Sequence, residues 1–357
     1  MNRLIHNSPA LMQRGFTIVE IMISMLLGII LLVGVVSLMV GNKRSFNEQT
    51  ETSRLQENAR LAIQYLIQDI RMAGYTGCND DIANVTNDLN GAADDDNLLS
   101  MQNAVEGVDS ASSPKVWEAS GSSDIIANMT AGTDGISIRY MTPSGITIEA
   151  PYMNTNASAL HVSAGNGLVQ GEILAVSDCT SADIFQISNA NPDGSGTISH
   201  NTGSVVSPSN ATGDLSKTYG ADAELLRMIS ARYYVGDLDA DGVSSLYRHT
   251  HDADRDDSDG DGDTTERIEV SLELIEGVEN MQILYGNGAT FVSADNIAAA
   301  DWAAVDSVKI ALLLRTVDEM GSDTDATTYS LLGTTVNPAD LRVRRRVYNA
   351  TIEIRNR

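Results

Sequence analysis

Arg14-Gly15-Phe16-Thr17-Ile18-Val19-Glu20 passes from a basic residue through a glycine to a single acid, just ahead of the run Ile21 to Val40, which carries no formal charge. At ~1.5 Å per residue such a run crosses the ~30 Å hydrocarbon layer of a bilayer. Arg3 and Arg14 precede it, so its N-terminal side is expected to stay cytoplasmic. A secretory signal peptide fits poorly, because the run is longer than the usual apolar core and no A-x-A-like site follows it. An ordinary single-pass anchor leaves Glu20 unexplained. A carboxylate at the edge of a membrane segment is costly and asks for a function.

The pattern changes beyond Val40 without a break. Phe46, Leu55, Ala59, Ile63, Leu66, Ile67 and Ile70 recur at helical spacing, with polar residues between them. No proline falls between Phe16 and Tyr75, and Gly74 reads as a C-terminal cap. One continuous helix is therefore expected from Phe16 to Ala73, about 85 Å long at ~1.5 Å per residue. Its first half is apolar all round. Its second half has one apolar face, suited to packing on a sheet.

The chain has 357 residues, of which aromatics make up 5%, and Gly, Ser, Thr, Asn and Asp are abundant. That mix suits a loop-rich β domain outside the cytoplasm. Acids outnumber bases 48 to 23, a formal net charge of −25. Such a surface repels nucleic acid and anionic headgroups, so no nucleic-acid partner is expected. The local patch Arg342, Arg344, Arg345 and Arg346 is read as a solvated or acid-paired strand face. The anchor places Cys78 and Cys179 outside the cytoplasm, where a disulfide is expected; the alternative is two buried free thiols.

After the helix, residues 79 to 123 are polar and weakly patterned and read as loops with short elements. Strands are expected at 135–140, 146–149, 172–176, 184–187, 204–206, 225–235, 245–248, 268–274, 281–285, 308–314 and 343–354, with a short helix at 297–304. A helix followed by strands argues for an α+β fold with a mainly antiparallel sheet. The organisation is a leader at 1–15, a membrane-spanning half-helix at 16–41, an amphipathic half-helix at 42–74 and a β-rich periplasmic domain at 75–357.

Gly15-Phe16-Thr17-Ile18-Val19-Glu20 ahead of a membrane-length run resembles the type IV prepilin processing site. Leu55-Gln56-Glu57-Asn58-Ala59-Arg60, Asp69-Ile70-Arg71-Met72-Ala73-Gly74-Tyr75 and Gly77-Cys78 resemble the PilW group of minor pilins. So do Ser177-Asp178-Cys179, Arg232-Tyr233-Tyr234-Val235-Gly236, Leu246-Tyr247-Arg248, Glu276 to Gln282 and Ile354-Arg355-Asn356-Arg357. The resemblance implies the pilin fold, a long N-terminal helix packed on a β-sheet domain. It implies that a prepilin peptidase cuts between Gly15 and Phe16 and methylates the Phe16 amine. It also implies that Glu20 meets the N-terminal amine of a neighbouring subunit. An amine and a carboxylate at the membrane edge neutralise each other, which supports that role; the alternative is an interfacial acid with no partner. The implied partners are the inner membrane, other minor pilins, the major pilin and a large tip adhesin of the PilY kind. The implied work is priming of pilus assembly near the tip, in the service of twitching motility and adhesion. A type II secretion pseudopilin shares the leader, the glutamate and the helix, but the downstream motifs favour PilW.

Two loops follow D-x-D-x-D-G: Asp237, Asp239 and Asp241 before Gly242, and Asp257, Asp259 and Asp261 before Gly262. Alternating carboxylates ahead of a turn glycine suit Ca²⁺. Neither is an EF-hand, since the twelfth positions are Arg248 and Ile268. The alternative is a solvated acidic hairpin tip, while a calcium-binding membrane-anchored adhesin is a rival reading of the whole chain. There is no G-x-S-x-G, no P-loop and no H-E-x-x-H, and the five histidines are scattered apart from His249 and His251, read as a polar loop pair with a metal-touching strand face as the alternative, so no enzyme is expected.

Overall fold

A 55-residue helix, α1 (Ile18–Met72), opens the fold. The structure, a computed structural model, describes residues 17–79, 81–90, 101–109, 129–203, 208–253, 267–288, 290–320, 324–339 and 341–356. The chain falls into two units, 1–51 and 52–357. In the first unit the side chains from Ile18 to Val40 are exposed, and the helix is long and apolar enough to cross a membrane.

Among the described residues, the second unit carries the last turns of α1 and sixteen strands. β1 (Val85–Asn87) and β2 (Val105–Val108) are short, and β3 (Gly135–Thr147) is long. β4 (Leu160–His161), β5 (Ile173–Ser177), β6 (Ala182–Gln186) and β7 (Thr197–Ile198) come next. They lead to β8 (Glu224–Gly236), β9 (Ser245–Ala253) and β10 (Arg267–Glu276). The chain then makes β11 (Val278–Asn287), β12 (Thr290–Val292) and β13 (Ser307–Arg315). It closes with β14 (Tyr329–Leu331), β15 (Thr334–Val336) and β16 (Arg345–Glu353).

β8 is the spine of the first sheet. One of its edges pairs with β3, while the other pairs first with β5 and then with β9. The sheet is antiparallel throughout except for β1 on β6. The second sheet, in the order β12-β11-β13-β16, is wholly antiparallel.

The buried stripe of α1 is Leu55, Ala59, Ala62, Leu66, Ile70 and Ala73. Steps of three and four residues keep these side chains on one face. The alanines bring the helix backbone close to the sheets. The stripe packs with Ile136, Ile138, Tyr140 and Tyr233 of the first sheet and with Met281, Ile283, Ile310 and Leu312 of the second. Both sheets thus share one core with the helix. Truncating Leu66, fully buried there, to alanine is expected to cost roughly 2–5 kcal/mol.

Close approach requires glycine at Gly74 and Gly107 among other positions. Gly74 sits at φ +77° just past the helix, and a Cβ there would lie 2.4 Å from the carbonyl oxygen of Asn356. Its N–H donates to the Arg139 carbonyl at 2.9 Å, so the helix end is tied to β3. Gly107 of β2 lies under Tyr285, whose hydroxyl would be 2.1 Å from an added Cβ.

The expected α+β fold is present, and the single helix runs within two residues of its anticipated ends. The strand reading is coarser. β3 is one strand through Pro143 to Thr147 where two were expected, and Gly145 adopts a positive φ at its register shift. β1 and β2 are short strands in the stretch expected as loops with short elements, where burial of Val105 and Leu89 organises a polar sequence. The β14–β15 hairpin was not anticipated; it covers Ala311 and Leu313 on the outer face of β13. The expected helix at 297–304 is a 3-10 segment, Ala299–Ala304. The expected strand at 204–206 lies outside the described residues.

Candidate functional sites

α1 begins with a reciprocal cap. The Thr17 N–H and hydroxyl donate to Glu20 Oε2 at 3.1 and 3.2 Å, and the Glu20 N–H donates to Thr17 Oγ1 at 3.2 Å. This is the capping box that T-x-x-E encodes, satisfying two amide groups the helix itself cannot. The carboxylate also sits at the positive end of the helix dipole. Among the described residues Glu20 Oε1 has no hydrogen-bond partner. Gly15 and Phe16 lie outside the described residues.

At the other end of α1 stands a second acid, to which the sequence reading assigned no role. Asp69 is 8% exposed, on the face that meets the sheet. The Tyr140 hydroxyl donates to its Oδ1 at 3.1 Å. The Tyr233 hydroxyl donates to its Oδ2 at 2.6 Å, and Arg248 Nε donates to the same oxygen at 3.1 Å. β3, β8 and β9 thus each send one side chain to a single helix carboxylate. Burial, and then the Asp69 charge, push the Tyr140 hydroxyl up to about 12 and raise that of Tyr233 further. Both phenols therefore remain donors at any physiological pH. The available signal was an acid beside Leu66 and Ile70 on an apolar stripe, facing tyrosine and arginine at alternating strand positions.

Cys78 and Cys179 form a disulfide, with Cα atoms 4.6 Å apart. Each cysteine is presented by a braced turn. On one side, Thr76 Oγ1 donates to the Asn79 carbonyl at 2.6 Å and Ser177 Oγ donates to the Thr76 carbonyl at 2.9 Å. On the other, Asp178 accepts from the Thr180 and Ser181 N–H groups at 2.8 and 3.1 Å and pairs with Lys217. Burial works to raise the Asp178 carboxyl, but the Lys217, Thr180 and Ser181 donors hold it well below the usual range.

The first acidic loop gathers Asp237, Asp239 and Asp241, whose carboxylate oxygens come within 4.8 Å of one another. Gly242 N–H donates to Asp237 Oδ2 at 3.1 Å and Val243 N–H to Asp241 Oδ1 at 2.7 Å. Desolvation and then the Asp241 charge raise the Asp239 carboxyl. At one oxygen each, the three carboxylates supply fewer than the six to eight oxygens Ca²⁺ takes, and Arg248, at the twelfth position, is committed to Asp69. Calorimetric titration of Ca²⁺ into the wild type and Asp239→Asn reads whether backbone and water complete a shell. Asp257, Asp259 and Asp261 lie outside the described residues.

The arginine patch carries acid partners. Arg342 meets Glu319 at 2.6 Å, and Arg345, with its side chain fully buried, meets Glu279 at 2.6 Å and Asp325 at 3.4 Å.

Residues 232–356 match the PilW family, described as type IV pilus-assembly protein W. No curated protein and no solved structure gives a match. The matched stretch contains Tyr233, Arg248, Glu279 and Arg345, the strand partners of the two buried ion clusters. A helix long and apolar enough to cross a membrane thus precedes a largely antiparallel β domain whose C-terminal stretch, residues 232–356, is similar to the PilW family of type IV pilus assembly.

Proposed function

We propose that this chain is a minor pilin that primes type IV pilus assembly near the tip. The observation that carries the reading is the joining, in one polypeptide, of the PilW match to a membrane-length helix that starts on Thr17-x-x-Glu20. In this reading a prepilin peptidase cuts between Gly15 and Phe16 and methylates the new amine. The helix holds the protein in the inner membrane, and the β domain lies in the periplasm until the subunit enters the fibre. Other minor pilins, the major pilin and a PilY-type adhesin are its partners, and twitching and adhesion are the outcomes.

Glu20 has two tasks in this scheme. Its Oε2 caps its own helix, and its charge neutralises the amine of the neighbouring subunit. Glutamine also serves at this position of a capping box. Glu20→Gln therefore keeps the cap and removes the charge. Processing is expected to proceed and fibre incorporation to fail. Normal incorporation of that variant sinks the pairing, and mass spectrometry of the mature N-terminus tests the cut. A knockout that loses exoprotein secretion instead of twitching and surface pili would assign the chain to a type II secretion system.

A further inference from the structure

β10 is an outer strand of the first sheet. Its inner side pairs with β9, and among the described residues no strand pairs with its other side. An open edge presents a row of N–H and C=O groups to any extended chain, and proteins usually blunt such edges. Here Val270 and Leu272 are 41% and 57% exposed. Cross-strand register fixes the face they occupy. Leu272 stands opposite Arg248, and Arg248 opposite Tyr233, and both of these reach Asp69 of α1. Directly opposed residues share a face, so the two apolar side chains extend the helix-facing surface outward. A bulge between Glu273 and Ile275 ends the regular stretch, and Leu274 beside it joins the core.

The residues that alternate with this pair towards the end of the strand are polar. Ser271 and Glu273 alternate with the apolar pair and face the other side. At the end of the strand, burial raises the Glu276 carboxyl, and the charges of Glu273, Asp241, Asp239 and Asp318 raise it further. Those carboxylates therefore share one field. Among the described residues neither Glu273 nor Glu276 has a cationic partner. The edge thus combines unpaired backbone, apolar side chains on one face and uncompensated negative charge on the other.

We propose that the β10 edge docks an extended segment of a partner protein in which apolar and basic residues alternate. Its backbone continues the sheet on β10, its apolar side chains cover Val270 and Leu272, and its lysines or arginines meet Glu273 and the neighbouring carboxylates. This is strand addition, with pockets and charge setting which segment is accepted. A second copy of this chain is a poor occupant: edge-to-edge pairing of β10 would bring the same acids together. The proposal stands apart from the pilus reading, since it needs only the edge and its charges.

The test uses the full chain in detergent micelles at about 0.15 M salt, where exposed charges are screened beyond ~8 Å. The probe is a fluorescein-labelled heptapeptide alternating lysine with valine and isoleucine. Two comparators have the apolar residues grouped at one end, or a central proline that removes a pairing N–H. The alternating peptide is expected to bind at least about tenfold more tightly than either, a difference of ~1.4 kcal/mol. Leu272→Glu is expected to abolish that advantage, and Glu149→Lys, at an exposed acid away from β10, to leave it intact. Should Leu272→Glu not fold, Glu273→Lys replaces it. Equal binding of the three peptides reduces the effect to long-range charge and overturns the proposal. So does a homodimer that Leu272→Glu dissociates in the absence of peptide binding.

Discussion

Two carboxylates on one helix are handled in opposite ways. Glu20, in the first turn, is exposed, and its partner is three residues away. Asp69, in the last turn, is buried, and its partners are 71, 164 and 179 residues away in sequence. The first arrangement is local, so T-x-x-E announces it. The second exists only once three strands have found their register. The difference separates two kinds of importance. The acid satisfied within its own turn uses one oxygen, Oε2, and remains exposed. The acid satisfied by the rest of the domain is occupied in holding that domain to its helix.

Substitutions can break this contrast, and the largest effect is expected at Asp69. Asp69→Ala leaves Arg248 half-buried without its partner and two buried phenols without an acceptor. Loss of one partner from a buried pair costs roughly 3–5 kcal/mol, so the melting transition of the domain should fall sharply. A shift no larger than that of a surface mutation would reduce Asp69 to a bystander. Next comes the disulfide. Cys78→Ser with Cys179→Ser opens a link across 101 residues and should cost about 2–4 kcal/mol, read from denaturant unfolding.

A third carboxylate moves stability the other way. Asp88 is 6% exposed, its Oδ2 has no hydrogen-bond partner, and burial followed by the Asp183 charge raises its carboxyl to about 7. The unfolded chain releases that proton near 3.8 and the folded one near 7. Between those values the folded state binds the extra proton, so this group's contribution to stability declines as pH rises. Asp88→Asn should therefore flatten that dependence and stabilise the protein at pH 8 by roughly 1–3 kcal/mol. Melting curves at pH 5 and pH 8 decide it; a variant less stable than wild type at pH 8 contradicts the account. The smallest stability effect belongs to Thr17→Ala, which removes the cap at a cost of about 1 kcal/mol but keeps the Glu20 charge. It should still enter fibres where Glu20→Gln does not. If Thr17→Ala fails and Glu20→Gln succeeds, the glutamate acts only as a cap.

Legibility followed sequence distance. α1 and its stripe were readable because 3.6-residue periodicity is written in the chain itself, and Gly74 punctuated its end. The long strands β8, β11 and β13 were readable because their apolar, β-branched and aromatic runs are just as local. β1, β2 and the β14–β15 hairpin were not, because their side chains become buried only against distant partners such as Ile184, Ile138 and Leu313. The disulfide was anticipated from compartment alone. Arg248, Tyr233 and Asp69 were each noticed in sequence, yet nothing local joins an acid on a helix to a strand nearly 180 residues later. The β10 edge was invisible for a like reason: Val270 and Leu272 read as ordinary strand residues until the register left them uncovered.

The link between Cys78 and Cys179 has a mechanical consequence. A pull that enters through the helix and leaves through the later strands passes from residue 78 to residue 179 across a covalent bond. The intervening chain, which includes β1 to β5, is excluded from that load path. About 100 residues at ~3.4 Å each amount to ~340 Å of contour that tension cannot draw out. In a single-molecule stretching experiment the oxidised protein should lengthen by that much less than the reduced one. A subunit tied in this way would give up no contour under traction between residues 78 and 179.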